Sequence, residues 1–208
     1  MPIQRIFNNP SSSIILAFLL ADILGAVLLV CPVSTHQGIT FTDALFTSTS
    51  ALCVTGLSVQ DTGTCFTFFG QCVILCLIQM GGMGILTLSA FFIKMVTGRL
   101  SFNAKSWLEE SLTQEYVTDF YAFLKRIFLF VLVAEGIGSV SLFFVFIQNH
   151  PWKQSVFLSI FHSISAFCNA GFSLFPDSLV QYRNNFSLNL IIALLIIAGG
   201  LGFVVINE

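Results

Sequence analysis

The chain has 208 residues, of which 56% are hydrophobic and only 9% are charged, and its formal net charge is −2. A soluble domain carries about 25% charged residues, so this composition excludes an ordinary water-soluble protein and indicates an integral membrane protein of the lipid bilayer. The small net charge and the absence of a basic run give no indication of nucleic-acid binding.

The first predicted membrane segment is the apolar run over residues 14–30, which has 17 residues and lies near the lower limit for crossing about 30 Å of hydrocarbon. Thr40 then stands three residues before Asp43, a capping pattern that predicts a short helix ending near Leu52. Residues 62–93 carry no charge, and this run is longer than one straight span requires. We therefore expect tilt, a break or an extension past the lipid, and the candidate hinge residues for a break are Gly81, Gly82 and Gly84.

The second half of the chain begins with a polar connector and then repeats the pattern of apolar segments. The connector is predicted to hold an interfacial helix around residues 107–118. Residues 127–147 form the next predicted span, and His150-Pro151-Trp152 opens a second short helix. The final span covers residues 186–206, and its candidate hinge residues are Gly199, Gly200 and Gly202.

A duplicated stretch organises this pattern. ALFTSTSALCVTGLS (residues 44–58) and SIFHSISAFCNAGFS (residues 159–173) are identical at seven of fifteen positions, at a constant offset of 115. ADILG (21–25) likewise matches AEGIG (134–138), and the Gly-rich ends of the two long segments correspond. These three landmarks in one order predict tandem helix–pore loop–helix repeats in an all-α membrane fold, with a first repeat at 1–97, a connector at 98–119 and a second repeat at 120–208.

The distribution of basic residues predicts the orientation in the membrane. Six of the eight Lys and Arg residues lie in the N-terminal lead and the connector region, and only Lys153 and Arg183 flank the second loop. By the positive-inside rule the N-terminus and the connector are cytoplasmic. Both Gly-containing loops then open to the outside, and non-helical backbone at that depth has to line a watery cavity.

The loops after the short helices carry the predicted chemistry. A helix C-terminus bears about half a negative charge, and an extended loop beside it can direct backbone carbonyls at a cation in place of its hydration water. Glycine permits the backbone conformations and close approach that such a loop needs. The candidate ion-binding residues are Cys53, Val54, Thr55 and Gly56 in the first loop and Cys168, Asn169, Ala170 and Gly171 in the second.

Other polar residues have two interpretations each. Asp61 and Asp177 follow the loops, where they either attract cations at a pore mouth or cap the next helices. Asp22 and Glu135 lie within spans, where an ionisable group is functional by default, although their shared sequence context also fits a structural hydrogen bond to the short helix or loop. His162 is either a pH sensor or, as we favour, a hydrogen-bonded packing residue.

No enzyme is indicated. The chain has no HExxH, GxSxG or CxxC motif and its three histidines are scattered. Cys72 and Cys76 have the spacing of metal ligands on a helix but no His or acidic partner nearby, so we expect the cysteines to pack as small apolar residues. No cofactor and no transition metal are expected.

Four short motifs resemble the TrkH/KtrB/HKT superfamily of potassium and sodium transporters: VTGL (54–57), NAGF (169–172), QMGGMGIL (79–86) and AGGLGFVV (198–205). The resemblance covers nearly the whole chain. It implies a potassium-channel-like arrangement of four helix–pore loop–helix units around one ion path, with Gly56 and Gly171 as the first two filter glycines and potassium at the filter. It also implies a multi-pass protein of the plasma (inner) membrane and a cytoplasmic nucleotide-binding regulatory subunit of the TrkA or KtrA type.

Only two of the four units of that family are present, so the resemblance leaves two assemblies open. Either the chain is the N-terminal half of a longer protein, which we favour, or two copies pair to complete the site. The expected function is potassium uptake through a filter of backbone carbonyls. The alternatives are a sodium-conducting subunit and a non-conducting structural subunit of a larger assembly.

Overall fold

The computed structural model describes residues 10–84 and 120–201, with side chains over 15–84 and 125–201. We name residues 10–84 the first segment and residues 120–201 the second segment. The first segment holds helices α1 (Pro10–Val30), α2 (Phe41–Leu52), α3 (Thr62–Cys65) and α4 (Phe68–Gly82). The second holds α5 (Phe120–Phe146), α6 (Trp152–Phe167), a 3₁₀ turn (Val180–Tyr182) and α7 (Phe186–Gly200). Apart from an isolated bridge between Thr35 and Phe66, the described residues contain no β-structure.

Several helices begin where a short polar side chain caps the first turn. The Thr40 hydroxyl accepts a hydrogen bond from the N–H of Asp43, which confirms the predicted start of α2. Thr67 caps α4 and Asn185 caps α7 in the same way. Helix α6 instead begins after Pro151, without a side-chain cap. Pro suits this end because its missing N–H is not needed there.

The lengths and surfaces of the helices suit a bilayer. Within the described residues, the part of α5 from Lys125 to Phe146 is long and apolar enough to cross a membrane, and shorter apolar helices cover Ile15–Val30, Phe68–Gly82 and Phe186–Gly200. Exposed positions on α1 and α5 are occupied mostly by Leu, Ile and Val. Contiguous exposed apolar surface of this kind marks contact with lipid or with another protein.

The two segments pack directly against each other through α4 and α6. Phe161, Ala170 and Phe172 of the second segment belong to the apolar core that α1, α2 and α4 form in the first segment. The rings of Phe68 and Phe157 meet across the same joint, with centroids 4.7 Å apart. The second core lies among α5, α6 and α7.

Some expectations fall outside the described residues. Residues 85–119 are not described, so the structure does not test the proposed repeat boundaries at 97/98 and 119/120 or the interfacial helix around 107–118. Gly202 also lies outside the described residues. All six cysteines are free thiols. Cys53 at the end of α2 and Cys76 on α4 are exposed, so neither packs in a core as expected.

Candidate functional site

Helix α2 ends in a turn that directs the backbone of the first loop. The N–H of Val54 donates to the carbonyl of Ala51 (3.2 Å) and the N–H of Thr55 donates to the carbonyl of Ser50 (2.9 Å). This pair of bonds, with Val54 at φ 57°, is a Schellman motif. The motif normally places Gly at the left-handed position, so a β-branched Val there is a strained choice.

Helix α6 ends in the same turn, 115 residues later. Asn169 donates to the carbonyl of Ala166 (3.0 Å) and Ala170 donates to the carbonyl of Ser165 (2.7 Å). Asn169 has φ 58°, close to the value at Val54. Asn tolerates this conformation better than Val because its short polar side chain bonds locally. The two loops therefore share one backbone geometry although their residues differ at these positions.

Gly56 and Gly171 occupy the second left-handed position of each loop, at φ 74° and 71°. The loops meet at these glycines. A Cβ added to Gly56 would collide with the carbonyl oxygen of Ala170, while a Cβ on Gly171 would lie 3.5 Å from the Cα of Gly56. Glycine at position 56 is thus required by both conformation and space.

The loop N–H groups donate back to the short helices, whereas the loop carbonyls have no hydrogen-bond partners among the residues that the structure describes. Within the described residues, no hydrogen bond reaches the carbonyl oxygens of residues 54–56 or 169–171. Each loop also lies at the C-terminal end of its helix, where the macrodipole is negative. The arrangement offers acceptors and negative potential, which is the chemistry that a cation requires.

A polar cavity of about 290 Å³ is lined by residues of both loops. Its lining includes Gly56, Ser58, Asp61, Gly171, Ser173 and Ser178. Asp61 caps α3, since its Oδ1 accepts from the N–H and the hydroxyl of Thr64 at 2.7 and 2.8 Å. Asp177 is exposed and does not line the cavity, although Pro176 and Ser178 do. The capping role of Asp61 is therefore established, and cation attraction at the mouth stays a prediction for both.

The thiol of Cys65, four residues after Asp61, responds to burial and to two nearby carboxylates. Burial, followed by the charges of Asp61 and Asp43, raises the pKa of Cys65. Nearby carboxylates disfavour a second negative charge and by the same effect favour a cation.

Two equivalent hydrogen bonds hold the short helices in place. Ser48 on α2 donates to the carbonyl of Asp22, and Ser163 on α6 donates to the carbonyl of Glu135, both at 2.8 Å. Gly25 and Gly138 allow this approach, because a Cβ at either would collide with the hydroxyl of the facing serine. The structural reading of the shared ADILG and AEGIG context is confirmed, through the backbone carbonyls of the acidic residues.

The carboxylates of Asp22 and Glu135 have different surroundings. Glu135 is 6% exposed, and its Oε1 accepts from the side-chain amide of Gln79 on α4 at 3.0 Å. Asp22 Oδ2 accepts from the hydroxyl of Thr49 at 2.8 Å. Its Oδ1 is buried and has no hydrogen-bond partner among the described residues.

His162 is buried, and it packs within the protein as expected. Its Nδ1 lies 2.8 Å from the carbonyl of Leu158, so that nitrogen carries the proton. Its Nε2 then accepts from the hydroxyl of Ser173 at 3.1 Å and lies 3.4 Å from the N–H of Leu174. The ring fixes the segment that follows the second loop.

The glycines at the ends of α4 and α7 contact the short helices. A Cβ on Gly81 would collide with the carbonyl oxygen of Leu52, and one on Gly199 with that of Phe167. A Cβ on Gly82 would collide with the Cys168 side chain, whereas a Cβ on Gly200 would lie 3.9 Å from the side-chain nitrogen of Asn169. Helix α4 ends at Gly82 and Gly84 has φ 76°. The predicted break stays a prediction, because residues 85–119 are not described.

Sequence reasoning did not identify several of these supporting residues. The serines Ser48 and Ser163 were visible as identities between the two copies, which was the available signal for their role. Gln79 was visible only as the first residue of the QMGGMGIL motif, and the repeat gave no sign of its role because the equivalent residue of the second copy is Ile197. Within the described residues, no group of three or more His, Cys, Asp or Glu is placed to hold a metal ion.

Comparison with known proteins identifies the family. A sequence model of the TrkH family, described as a cation transport protein, matches residues 3–208. Ktr system potassium uptake protein B of Bacillus subtilis (strain 168) is 41% identical over 96% of this chain and 45% of its own length. The protein of the same name from Vibrio alginolyticus is 45% identical over 94% of this chain and 43% of its own length.

A third relative is the potassium/sodium uptake protein NtpJ of Enterococcus hirae, 38% identical over 95% of this chain and 44% of its own length. The chain therefore spans less than half the length of these curated relatives. The family match covers nearly every residue, and the apolar helices agree with it. This chain is an integral membrane protein and belongs to the TrkH family of cation transport proteins.

Proposed function

We propose that the two segments are helix–pore loop–helix units of a potassium-channel-like cation path, and that the chain takes part in potassium uptake. This proposal rests on one observation: the two loops contact each other at Gly56 and Gly171, and both glycines have the same left-handed backbone conformation. Within the described part of the chain, each loop presents carbonyls without hydrogen-bond partners, and each loop follows the negative end of a helix. Eight residues form the proposed ion site: Cys53, Val54, Thr55, Gly56, Cys168, Asn169, Ala170 and Gly171.

Carbonyl oxygens suit potassium because the ion sheds its hydration shell at moderate cost when enough dipoles replace the water. Two loops supply only part of such a shell. The proposal therefore includes further loops, from the remaining half of a longer protein or from a second copy. A cytoplasmic nucleotide-binding subunit of the TrkA or KtrA type is the proposed regulator.

The names of the relatives favour potassium. Two of them are potassium uptake proteins and the third is a potassium/sodium uptake protein. Sodium conduction is the second candidate, supported by that third name. A non-conducting structural subunit is the remaining alternative, and it predicts no flux from any assembly.

The test is ion flux into vesicles that contain the protein purified from its membrane together with whatever remains bound to it. Potassium and sodium entry are measured with ion-sensitive dyes under an imposed potential, and vesicles without protein are the control. Potassium entry that exceeds sodium entry supports the proposal. Equal entry supports the sodium alternative, and the absence of flux for both ions overturns the transport function.

A further inference from the structure

The backbone that follows the second loop is held by hydrogen bonds to α6. The hydroxyl of Ser165 donates to the carbonyl of Phe172 at 2.7 Å, and the hydroxyl of Ser173 donates to Nε2 of His162 at 3.1 Å. The N–H of Leu174 also approaches Nε2, at 3.4 Å. One serine therefore fixes residue 172, and one histidine fixes residues 173 and 174.

The ring of His162 is itself held in one orientation. Its Nδ1 is hydrogen-bonded to the carbonyl of Leu158 at 2.8 Å, which leaves Nε2 as an acceptor. The side chain is 2% exposed, and its ring stacks on that of Phe175 with centroids 5.0 Å apart. The ring of Phe146 lies 5.6 Å away. Nε2 is thus a fixed acceptor that faces the backbone after the second loop.

Packing alone does not hold this part of the second loop. A cavity of about 250 Å³ lies beside it, and the lining includes Asn169, Gly171, Ser173 and Ile196. Groups that face a cavity lose dispersion contacts on that side. The position of the loop therefore depends more strongly on its hydrogen bonds to α6.

The first loop is supported by a different side chain. Thr47, the equivalent of His162, donates its hydroxyl to a backbone carbonyl of its own helix. In the first loop, the hydroxyl of Thr55 donates to Oγ of Ser50 at 3.0 Å. The equivalent of Thr55 in the second loop is Ala170, which has no hydroxyl. The second loop therefore lacks this internal support, and His162 supplies support from the helix.

The residues after the two loops also differ in burial. Phe172 is 4% exposed because it packs against the first segment, whereas the equivalent Leu57 is 61% exposed. A displacement of the second loop would therefore disturb the joint between the segments. The contact between Gly56 and Gly171 lies at this joint.

We propose that His162 is a positioning residue of the ion path. By accepting hydrogen bonds from Ser173 and Leu174, it holds the carbonyl of Gly171 in the direction that the proposed filter requires, and it thereby sets the preference of the second loop for potassium over sodium. The inference rests on the proposed function, because it assumes that the loops form the filter. It deepens that function by assigning selectivity to a side chain outside the eight residues of the proposed ion site.

The first test compares two amides at position 162. Glutamine places its amide oxygen near the position of Nε2, whereas the shorter asparagine reaches only the position of Nδ1. The preference for potassium over sodium is measured from reversal potentials in vesicles that contain the protein with whatever remains bound to it. We expect His162→Gln to keep the wild-type ratio. We expect His162→Asn to lower it about twofold to tenfold, the range that one hydrogen bond accounts for.

Ser173→Ala removes the same hydrogen bond from its other side and should lower the ratio to a similar extent. The double variant His162→Asn/Ser173→Ala should then be little lower than either single variant, because changes to one interaction are not additive. Equal ratios for His162→Gln and His162→Asn would overturn the proposal. So would single losses that multiply fully in the double variant.

Leu142→Ala is the control for a general loss of stability. Leu142 is fully buried on α5, so its truncation should lower the unfolding temperature. It lines neither of the cavities beside the loops, and we expect it to keep the wild-type ratio. A fall in the ratio as large as that of His162→Asn would show that any destabilisation has this effect, against the proposal.

The second test does not need ion flux. Hydrogen–deuterium exchange is measured for the backbone N–H groups of residues 169–176 in the same variants. Exchange should be about twofold to tenfold faster in His162→Asn than in wild type, and unchanged in His162→Gln. Equal exchange in wild type and His162→Asn would overturn the proposal. Faster exchange in a protein that does not conduct would overturn the proposed function while supporting the positioning of the second loop by His162.

Discussion

Gly56 is the residue on which the proposed filter depends most. Its φ of 74° and the carbonyl of Ala170 leave no room for a side chain. In Gly56→Ser the loop has to shift, and its carbonyls leave the direction that the proposed ion coordination requires. We expect reduced preference for potassium over sodium, with a smaller effect on total cation flux, because the driving force of about 2.3 kcal/mol per charge and 100 mV is unchanged.

Gly171→Ser should act in the same direction but less strongly. Its added Cβ meets only the Cα of Gly56, at 3.5 Å, although its φ of 71° is equally unfavourable. Thr47→Ser is the control, since Thr47 is buried on α2 and its hydroxyl bonds back to the carbonyl of Asp43. Selectivity is measured from reversal potentials in mixed potassium and sodium solutions. Wild-type selectivity in both glycine variants would remove these loops from the filter.

The left-handed residues Val54 and Asn169 provide a stability prediction. Asn169→Val puts a β-branched side chain at φ 58° and removes weak amide contacts to Phe167 and Ile196. We expect a loss of about 1–3 kcal/mol in the free energy of unfolding. Asn169→Gly separates the two causes, because it keeps the backbone conformation and loses only the amide. Thermal unfolding in detergent measures both, and equal losses would show that strain contributes nothing.

The sequence indicated that the two loops are equivalent, but it did not indicate all of the backbone geometry that they share. Glycine and Asn in matched loops indicated backbone freedom at Gly56, Gly171 and Asn169. The left-handed conformation of Val54 could not be predicted, because a β-branched residue ordinarily avoids positive φ. Its conformation follows from the Schellman turn, which the packing of the whole helix end imposes. The coordination of an ion by these residues stays a prediction.

At the scale of helices, the glycines near the ends of α4 and α7 act by allowing close contact. Gly81→Ala should collide with the carbonyl of Leu52, and Gly82→Ala with Cys168. Gly84→Ala would strain a residue at φ 76°. Overpacking of this kind costs about 1–3 kcal/mol. We therefore expect lower ion flux from protein that still reaches the membrane, measured as uptake per molecule.

The matched control for these changes is Gly136→Ala on α5. Gly136 has no atom within 4 Å of an added Cβ. Alanine in a helix interior is favoured over glycine by about 1 kcal/mol, so this variant should keep its flux and gain stability. If Gly81→Ala, Gly82→Ala and Gly84→Ala behaved like the control, their packing would have no role in transport.

The start of a helix could be predicted from the sequence because it depends on a local cap, as Thr40 shows. Some contacts between helices could not be predicted from the sequence. The bond from Gln79 to Glu135 joins residues 56 apart in sequence, and the second copy of the pattern lacks Gln79. Such a contact appears only when both segments are packed together.

For the whole molecule, the duplicated sequence predicted two similar arrangements of a long helix, a short helix, a loop and a second long helix. The described residues show these elements in both segments. The sequence did not predict which faces remain open, because equivalent residues are covered in one segment and exposed in the other. That difference depends on the neighbour of each segment rather than on its own residues.

The last prediction concerns the orientation of the whole chain in the membrane. Basic residues favour the cytoplasmic side, and six of the eight lie in the N-terminal lead and the connector region. A cysteine at position 60, beside the polar cavity, should therefore react with an impermeant label from outside. A cysteine at position 105 should react only after the cells are permeabilised. Both are placed in a background without the six native cysteines, whose free thiols would otherwise react.

The same label tests the proposed path because the cavity lined by Gly56 and Gly171 has to open to the outside for uptake. Position 153 is the control, since Lys153 is exposed at the start of α6 and lies on the same side as position 60 in this topology. Labels at positions 60 and 153 should appear together in sealed cells. Labelling of position 105 in those cells would reverse the orientation, and the loops would then face the cytoplasm, where they could not receive ions from outside.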